Sequence, residues 1–338
     1  METLPPPRSW YYACSLAEAA RGPRAIQLGK RTFVAFQTAP GRVAVLDGRC
    51  VHMGADLSRG RVVNGCLRCP FHEWEFAPDG RCVHIPTSPT TPDFARQSAY
   101  PTMVRGGHVF FYNHPTLPTP PAREFEAPFF PGRDAADLLP ARPIVMDAQI
   151  PWYMIGANGF DLQHFRVAHD RTLLGTPTVE RPSPFARTIR AEFAVSGTGL
   201  RDRLTRRFCG PRVMMTVTSW CGTMIIVTAE FLRTTTYGMV CITPLDAQRC
   251  RLLTIVWVPR SQSALGRAIY DPLNAAVRRS FIRKFLLSDR SGAEGTRYNP
   301  GTLIAADAVL ADYMQWLGDA VRQGGHQPAA NKEGSHNA

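Results

Sequence analysis

Two short segments of the chain pair a cysteine with a histidine at spacings that suit a metal centre. Cys50 lies two positions before His52, and Cys69 lies three positions before His72. Thiolates and imidazoles are the side chains that bind zinc and iron most readily in proteins. These four residues are therefore candidate ligands of one shared metal centre.

The residues of this segment leave three kinds of site open. With histidine as the second member of each pair, the pattern fits a [2Fe-2S] cluster in which one iron takes both thiolates and the other takes both imidazoles. The same four side chains could hold a tetrahedral structural zinc ion. Cys66 and Cys69 also form a Cys-x-x-Cys pair, which is typical of a redox dithiol.

The surrounding sequence favours the cluster. The segment CVHMGADLSRGRVVNGCLRCPFHEWEFAPDGRCVHIP resembles the cluster-binding segment of the Rieske non-haem iron oxygenases. The resemblance implies that Cys50, His52, Cys69 and His72 hold one Rieske [2Fe-2S] cluster on two hairpin loops. The spacing is closer to the aminopyrrolnitrin N-oxygenase-like and the steroid or sterol monooxygenases than to the ring-dihydroxylating members.

A second pattern, Asp-x-x-His-x-x-x-x-His, comprises Asp161, His164 and His169. Two histidines and a carboxylate form the ligand set of non-haem iron sites that leave positions open for dioxygen and substrate. The resemblance implies that His164 and His169 bind one mononuclear Fe(II) and that Asp161 is a catalytic bridge. In the family that bridge joins the neighbouring subunit's cluster, here through His72, to an iron-ligand histidine, here His164. One departure is Ala157, where many members carry glutamate.

The third iron ligand has to come from later in the chain, and spacing alone does not select it. We prefer Asp289, because Pro272 to Leu287 has the apolar periodicity of a long helix and a carboxylate just past its end can face the core. The segment SDRSGAEGTRYNPG also resembles the carboxylate segment of some family members. The alternative is that Asp289 caps a helix or pairs with Arg290. The other candidates are Asp271, Asp307, Asp312 and Glu294.

Composition limits the classes of protein. A chain of 338 residues is long enough for two domains, and its 44% apolar content is that of a globular protein. The longest apolar region, Met214 to Leu232, is interrupted by polar residues, which predicts two buried strands and no membrane span. The first residues, METLPPPRSW, have no apolar core of signal-peptide length, so we expect a cytoplasmic protein.

The formal charge of +12 bears on partners. The arginines are spread along the chain and no nucleic-acid motif is recognised, so we expect no nucleic-acid partner. Opposite charges steer transient electron-transfer encounters, which favours an acidic ferredoxin or a flavin reductase. The arginines around the cluster ligands form either a docking surface or a solvated rim, and they are Arg49, Arg59, Arg61, Arg68 and Arg81.

Turn residues and alternating apolar positions predict an α+β fold with two domains. We place a small antiparallel β Rieske domain at residues 1–115 and a Pro-rich connector at 116–143. A catalytic domain follows at 144–321, and the resemblance implies that it has the helix-grip (START-like) fold, a large antiparallel sheet flanked by helices. A mobile polar tail is expected at 322–338.

The resemblance implies the oxygenase component of a monooxygenase that uses O2 and draws electrons from NAD(P)H through a separate reductase or ferredoxin. It also implies a homotrimer, in which one subunit's cluster serves the next subunit's iron. The expected substrate is a mid-sized, mostly apolar small molecule, such as a secondary metabolite, that is hydroxylated, desaturated or N-oxygenated. The alternative is a Rieske electron-transfer or ligand-sensing protein without oxygenase activity.

Overall fold

The structure is a computed structural model, which describes residues 4–114 and 129–325. These ranges contain α-helices and antiparallel sheets, which confirms the predicted α+β class. The helices are α1 (Leu16–Ala19), α2 (Trp152–Asn158), α3 (Leu162–His169), α4 (Leu200–Phe208), α5 (Asp271–Ala293) and α6 (Ala308–Gly325). The strands are β1 (Trp10–Ser15), β2 (Arg24–Leu28), β3 (Arg31–Ala39), β4 (Arg42–Asp47), β5 (Arg61–Val63), β6 (Cys66–Arg68), β7 (Glu75–Phe76), β8 (Cys82–His84), β9 (Ala99–Tyr100), β10 (Thr102–Arg105), β11 (His108–Tyr112), β12 (Leu138–Pro140), β13 (Ile144–Ala148), β14 (Arg171–Ser183), β15 (Ala186–Val195), β16 (Arg212–Trp220), β17 (Met224–Phe231), β18 (Thr234–Pro244) and β19 (Cys250–Pro259).

The first third of the chain folds into three small antiparallel sheets. Their strand orders are β1-β11-β10, β2-β3-β4-β9 and β5-β6-β7-β8. The last sheet carries the cysteine–histidine loops, and its core joins Leu57, Leu67 and Phe76, which are fully buried, to Cys50 and Cys69. Apolar packing therefore holds the two loops against each other.

Gly80 lies in the turn between β7 and β8, where there is no room for a side chain. Gly80 has a φ of +84°, and a Cβ there would collide with the carbonyl oxygen of Gln97. Gly41 also has a positive φ, +75°, but no atom lies within 4 Å of its added Cβ. We expect Gly80→Ala to lower the free energy of unfolding by about 1–3 kcal/mol more than Gly41→Ala, the usual cost of overpacking. Denaturant unfolding of both variants measures this difference in stability. Equal losses of unfolding free energy in the two variants would contradict the collision at Gly80.

The remaining strands form one large antiparallel sheet of eight strands. Its order is β12-β19-β18-β17-β16-β15-β14, and β13 pairs with the same strand, β19, as β12 does. The predicted strand pair at Met214 to Leu232 is present as β16 and β17, with Trp220 opposite Met224. Cys221, Gly222 and Thr223 make the three-residue turn between them, and the first two have positive φ values of +44° and +69°.

The two faces of the large sheet have different neighbours, because successive side chains of a strand point to opposite faces. On one face Ile226, Met239 and Trp257 share a core with Trp10 and Phe110 of the small sheets. On the other face the sheet packs against helices α2 and α6, and the residues of that core include Trp152, Val217, Ile225, Tyr313 and Leu317. The large sheet thus lies between the small sheets and the helices.

Helix α5 differs from its prediction. It continues to Ala293, past the expected end at Leu287, so Asp289 lies inside the helix and not just beyond it. No glycine or proline interrupts Ser288 to Ser291, and the first glycine after the helix with a positive φ is Gly295. The side chain of Asp289 is therefore placed by helical geometry.

The boundaries of the other predicted segments are partly described. Residues 116–128 of the predicted connector lie outside the described residues, while β12, within its later part, already belongs to the large sheet. The predicted tail begins inside α6, which continues to Gly325, and residues 326–338 lie outside the described ranges. Among the helices described, none combines the length and apolar character needed to cross a bilayer.

Candidate metal centres and active site

The two cysteine–histidine loops converge, with their thiols inside and their imidazoles outside. Cys50 is 4% exposed and Cys69 is 2% exposed, whereas His52 is exposed and His72 is partly exposed. The imidazole rings lie 4.7 Å apart between centroids, and that of His52 stacks on Trp74 at 4.4 Å. Backbone hydrogen bonds tighten both loops, from Gly54 N–H to the Cys50 carbonyl and from Cys69 N–H to the Trp74 carbonyl. The two histidines therefore form the outer face of this site.

The spacing of these side chains bears on what they can hold. In the described residues, only one group of three or more His, Cys, Asp or Glu side chains has its ligand atoms within 4.8 Å of one another. The four side chains of the cysteine–histidine loops are not that group. A tetrahedral zinc ion needs its ligands closer than that, because each lies about 2.0–2.3 Å from the metal. A two-iron cluster spreads its ligands over two metals and fits this wider set.

Electrostatics also favours a cationic metal centre at the thiols. Burial, together with the neighbouring Cys69, raises the pKa of Cys50 to about 11. A thiolate there needs positive charge nearby, which iron supplies. Burial and the carboxylates of Glu75 and Asp79 also raise the pKa of Cys66, so it lacks the lowered pKa of a reactive dithiol.

The compact group is His164, His169 and Asp289, whose ligand atoms lie within 4.8 Å of one another. The Asp289 Oδ1 lies 3.0 Å from His164 Nε2 and 2.7 Å from His169 Nε2. Burial raises the pKa of Asp289, but hydrogen bonds with the two histidines outweigh it and lower that pKa below its ordinary value. Two imidazoles and an ionised carboxylate thus meet at one point, as a mononuclear iron requires.

The rings of His164 and His169 meet although the two residues lie five positions apart on α3. On an ideal helix such residues diverge by about 140°, because each residue turns the chain by about 100°. His169, however, is the last residue of α3, and Asp170 after it is left-handed with φ +53°. The two rings stand perpendicular with centroids 4.9 Å apart. Their side chains therefore converge across this angle, and both reach the Asp289 Oδ1.

The other candidate carboxylates are engaged elsewhere. Asp271 accepts hydrogen bonds from Ser261, and Asp307 accepts one from Gln163. Asp312 pairs with Arg187 at 2.9 Å, and Glu294 pairs with Arg290 at 3.2 Å. Of the five candidates, only Asp289 contacts the two histidines.

Asp161 begins helix α3. Its Oδ1 accepts hydrogen bonds from the backbone N–H groups of Gln163 and His164, at 3.0 and 3.1 Å. These are the bonds of an N-cap residue. They fix the carboxylate one turn from the histidine cluster. Its predicted bridging role between subunits stays a prediction.

The histidine cluster lies in the wall of a cavity of about 430 Å³. One side of the cavity is the helix-facing side of the large sheet, and the opposite side is helix α5. Alternating residues of β17 line it, namely Ile225, Val227, Ala229 and Phe231. Of six large side chains on or beside these strands, Phe231 lines the cavity and five do not, namely Phe193, Phe208, Trp220, Met224 and Trp257.

Comparisons with known proteins agree with this geometry. Residues 9–95 match the family model of the Rieske [2Fe-2S] domain. The aminopyrrolnitrin oxygenase PrnD of Pseudomonas fluorescens is 33% identical over 168 residues, which are 48% of this chain and 45% of that protein. The oxygenase component of a 3-ketosteroid-9-alpha-monooxygenase from Rhodococcus rhodochrous is 36% identical over 115 residues, 34% of this chain and 30% of that protein. The matching segments thus span less than half of either relative.

Solved structures extend the likeness to the whole fold. The crystal structure of dicamba monooxygenase bound to dicamba superposes with a TM-score of 0.72 at 18% identity. The superposition covers 94% of this chain and 98% of that one. Residues 9–95 therefore match a Rieske [2Fe-2S] domain, as the resemblance implied, and the chain has the fold of dicamba monooxygenase.

Proposed function

We propose that the protein is the oxygenase component of a Rieske non-haem iron monooxygenase. The observation that carries this proposal is the meeting of His164, His169 and Asp289 in the wall of an apolar cavity. An electron carrier has no need of a second metal site beside an apolar cavity. The oxygenases among the relatives support the proposal, and the electron-transfer alternative has no comparable support.

The residues present fit both metal groups. Cys50, His52, Cys69 and His72 would hold the cluster, and His164, His169 and Asp289 would hold the single iron. When bound, the cluster supplies electrons one at a time and the iron activates dioxygen. The protein contributes a carboxylate acceptor at Asp161, an exposed imidazole face for electron entry, and an apolar cavity that excludes water from the reacting position.

Electron donors would approach the outer face of the cluster loops. We infer an acidic ferredoxin or a flavin reductase, fed by NAD(P)H, although the nearby arginines are largely paired. Arg61 lies 2.6 Å from Glu73, Arg81 lies 2.7 Å from Asp79, and Arg68 contacts Glu75. Among the described residues Arg49 has no ion-pair partner, so it is the strongest candidate docking cation.

The working assembly and the substrate follow from the same proposal. We infer a homotrimer in the cytoplasm, in which His72 of one subunit approaches Asp161 of the next. The cavity volume is within the range of small-molecule sites, roughly 300–1,000 Å³. It suits a mid-sized, mostly apolar molecule that is hydroxylated, desaturated or N-oxygenated, such as a secondary metabolite.

Nitric oxide, which binds Fe(II) at open coordination positions, tests this function without knowledge of the substrate. We expect anaerobically reduced protein to give the half-integer-spin EPR signal of a mononuclear iron–nitrosyl complex. The signal needs iron with an open position, as the two-histidine, one-carboxylate set provides. An iron-replete protein that shows only the cluster signal would mean that the chain is an electron carrier.

A further inference from the structure

Among the described residues, one cation in the cavity wall has no anionic partner. Three arginines line the cavity, and two of them are paired within the described residues, Arg171 with Asp202 at 2.8 Å and Arg290 with Glu294 at 3.2 Å. The third, Arg278, has no carboxylate partner in the described part of the chain. A partly buried positive charge without an anion is costly, and such groups are usually paired.

Neutral groups hold the Arg278 guanidinium in place. Its Nε donates to the Asn274 Oδ1 at 2.8 Å, and its Nη1 donates to the Thr235 carbonyl at 2.8 Å. Nη1 also contacts the Thr236 hydroxyl, and Nη2 contacts the Thr234 hydroxyl. These bonds occupy four of the five N–H groups of the side chain. One Nη2 N–H is therefore left, among the described residues, to bind a ligand.

Helical geometry places this cation on the same face of α5 as Asp289, at the other end of the cavity wall. Arg278 and Asp289 are eleven positions apart on α5, which is about three turns, so their side chains leave the same face of the helix. Their Cα atoms are about 16 Å apart at the usual rise of about 1.5 Å per residue. Between them the same face presents Phe281, Ile282 and Phe285 to the cavity. The wall is thus polar at both ends and apolar in the middle.

Burial lowers the pKa of the Arg278 guanidinium, which shows that its charge is poorly compensated in this site. A carboxylate is the ligand that best compensates it, because charge-assisted bonds from arginine are about twice as strong as neutral ones. The threonine and asparagine contacts keep the guanidinium oriented before any ligand arrives. Such preorganisation reduces the cost of binding.

We propose that Arg278 binds the carboxylate of an elongated and otherwise apolar substrate acid, whose far end reaches the cluster of His164, His169 and Asp289. This inference rests on the proposed oxygenase function and narrows its substrates to organic acids. The apolar middle of the molecule lies along Phe281 and Phe285, and the oxidised position lies at the end remote from the acid group.

Binding of a matched pair of probes tests the proposal. Biphenyl-4-carboxylate and biphenyl-4-carboxamide have the same shape but differ in charge, and calorimetry on the iron-replete protein compares their Kd values. We expect the acid to bind about tenfold more tightly, the effect of one hydrogen bond to a charged group. Arg278→Gln should remove this preference and leave the binding of the amide unchanged. Arg278→Lys keeps the charge and should retain part of the preference.

The control is Arg283→Gln, an exposed arginine on the same helix, which should bind both probes as the wild type does. Equal affinities in the wild type, binding of neither probe, or a preference that survives Arg278→Gln would overturn the proposal. A preference that is lost in His164→Ala but kept in Arg278→Gln would place the acid on the metal and also overturn it. Because binding needs no turnover, failure of the oxygenase proposal is detected separately by the nitric oxide experiment.

Discussion

Replacing Asp289 with alanine should empty the mononuclear iron site while leaving the cluster intact. Asp289 is the carboxylate that meets both His164 and His169, so its loss leaves two imidazoles and no anionic ligand. We expect the Fe(II) affinity of the site to fall by more than about 100-fold, since losing even an outer partner of a metal ligand costs about 10- to 100-fold. The iron–nitrosyl EPR signal should disappear and the sulfide content should stay at its wild-type value.

Asp307→Ala is the matched control for this variant. Asp307 also lies beside helix α3, where it accepts a hydrogen bond from Gln163 at 2.7 Å, but it contacts neither histidine. It should keep its mononuclear iron. If Asp289→Ala retained iron of wild-type affinity, or if Asp307→Ala lost it, the third ligand would have been assigned to the wrong residue.

Asp161→Asn should separate the two roles of Asp161, helix cap and electron bridge. Asparagine caps a helix about as well as aspartate, so α3 should keep its place and the iron should stay bound. The amide, however, carries no charge and is a weaker acceptor for an imidazole N–H of the neighbouring subunit. We expect electron transfer from the reduced cluster to the iron to slow by about 10- to 100-fold, the usual cost of losing such a partner.

That rate is measured by stopped-flow absorbance of the cluster, after reduced, iron-replete protein is mixed with dioxygen. The control is Asp134→Asn, since Asp134 likewise accepts the N–H of the residue two positions on, at 2.9 Å from Ala136, but lies far from both metal sites in the sequence. Asp161→Ala should in addition lose about 1 kcal/mol of stability with the cap. If electron transfer in Asp161→Asn had the wild-type rate, Asp161 would act only as a helix cap.

The sequence predicted which side chains lie close together better than it predicted their surroundings. Cys50, His52, Cys69 and His72 are local pairs on short loops, so their spacing alone brings each pair together. His164 and His169 were predicted as a pair, but the perpendicular contact of their rings, with centroids 4.9 Å apart, is not visible in the spacing. Asp289 was predicted just past the end of a helix, and that end was placed six residues too early. The apolar periodicity fades after Leu287 while the backbone stays helical to Ala293.

The cavity could not be predicted in the same way. Its lining comes from several strands of the large sheet and from α5, and the pairing register decides which alternate residues face it. Trp257 and Met224 are large apolar residues of the same sheet, yet they point to the other face and pack against the small sheets. Arg278 shows the same limit, since only the fold brings it to Thr234 and Thr236 of β18.

The most direct test of two separate metal groups in one chain is the content of iron and acid-labile sulfide per chain. We would measure it in protein purified without oxygen and reconstituted with Fe(II), and compare the wild type with His164→Ala. The account predicts about three irons and two sulfides in the wild type, falling to about two irons with unchanged sulfide in the variant. About two irons in both proteins would contradict it and leave a Rieske electron carrier.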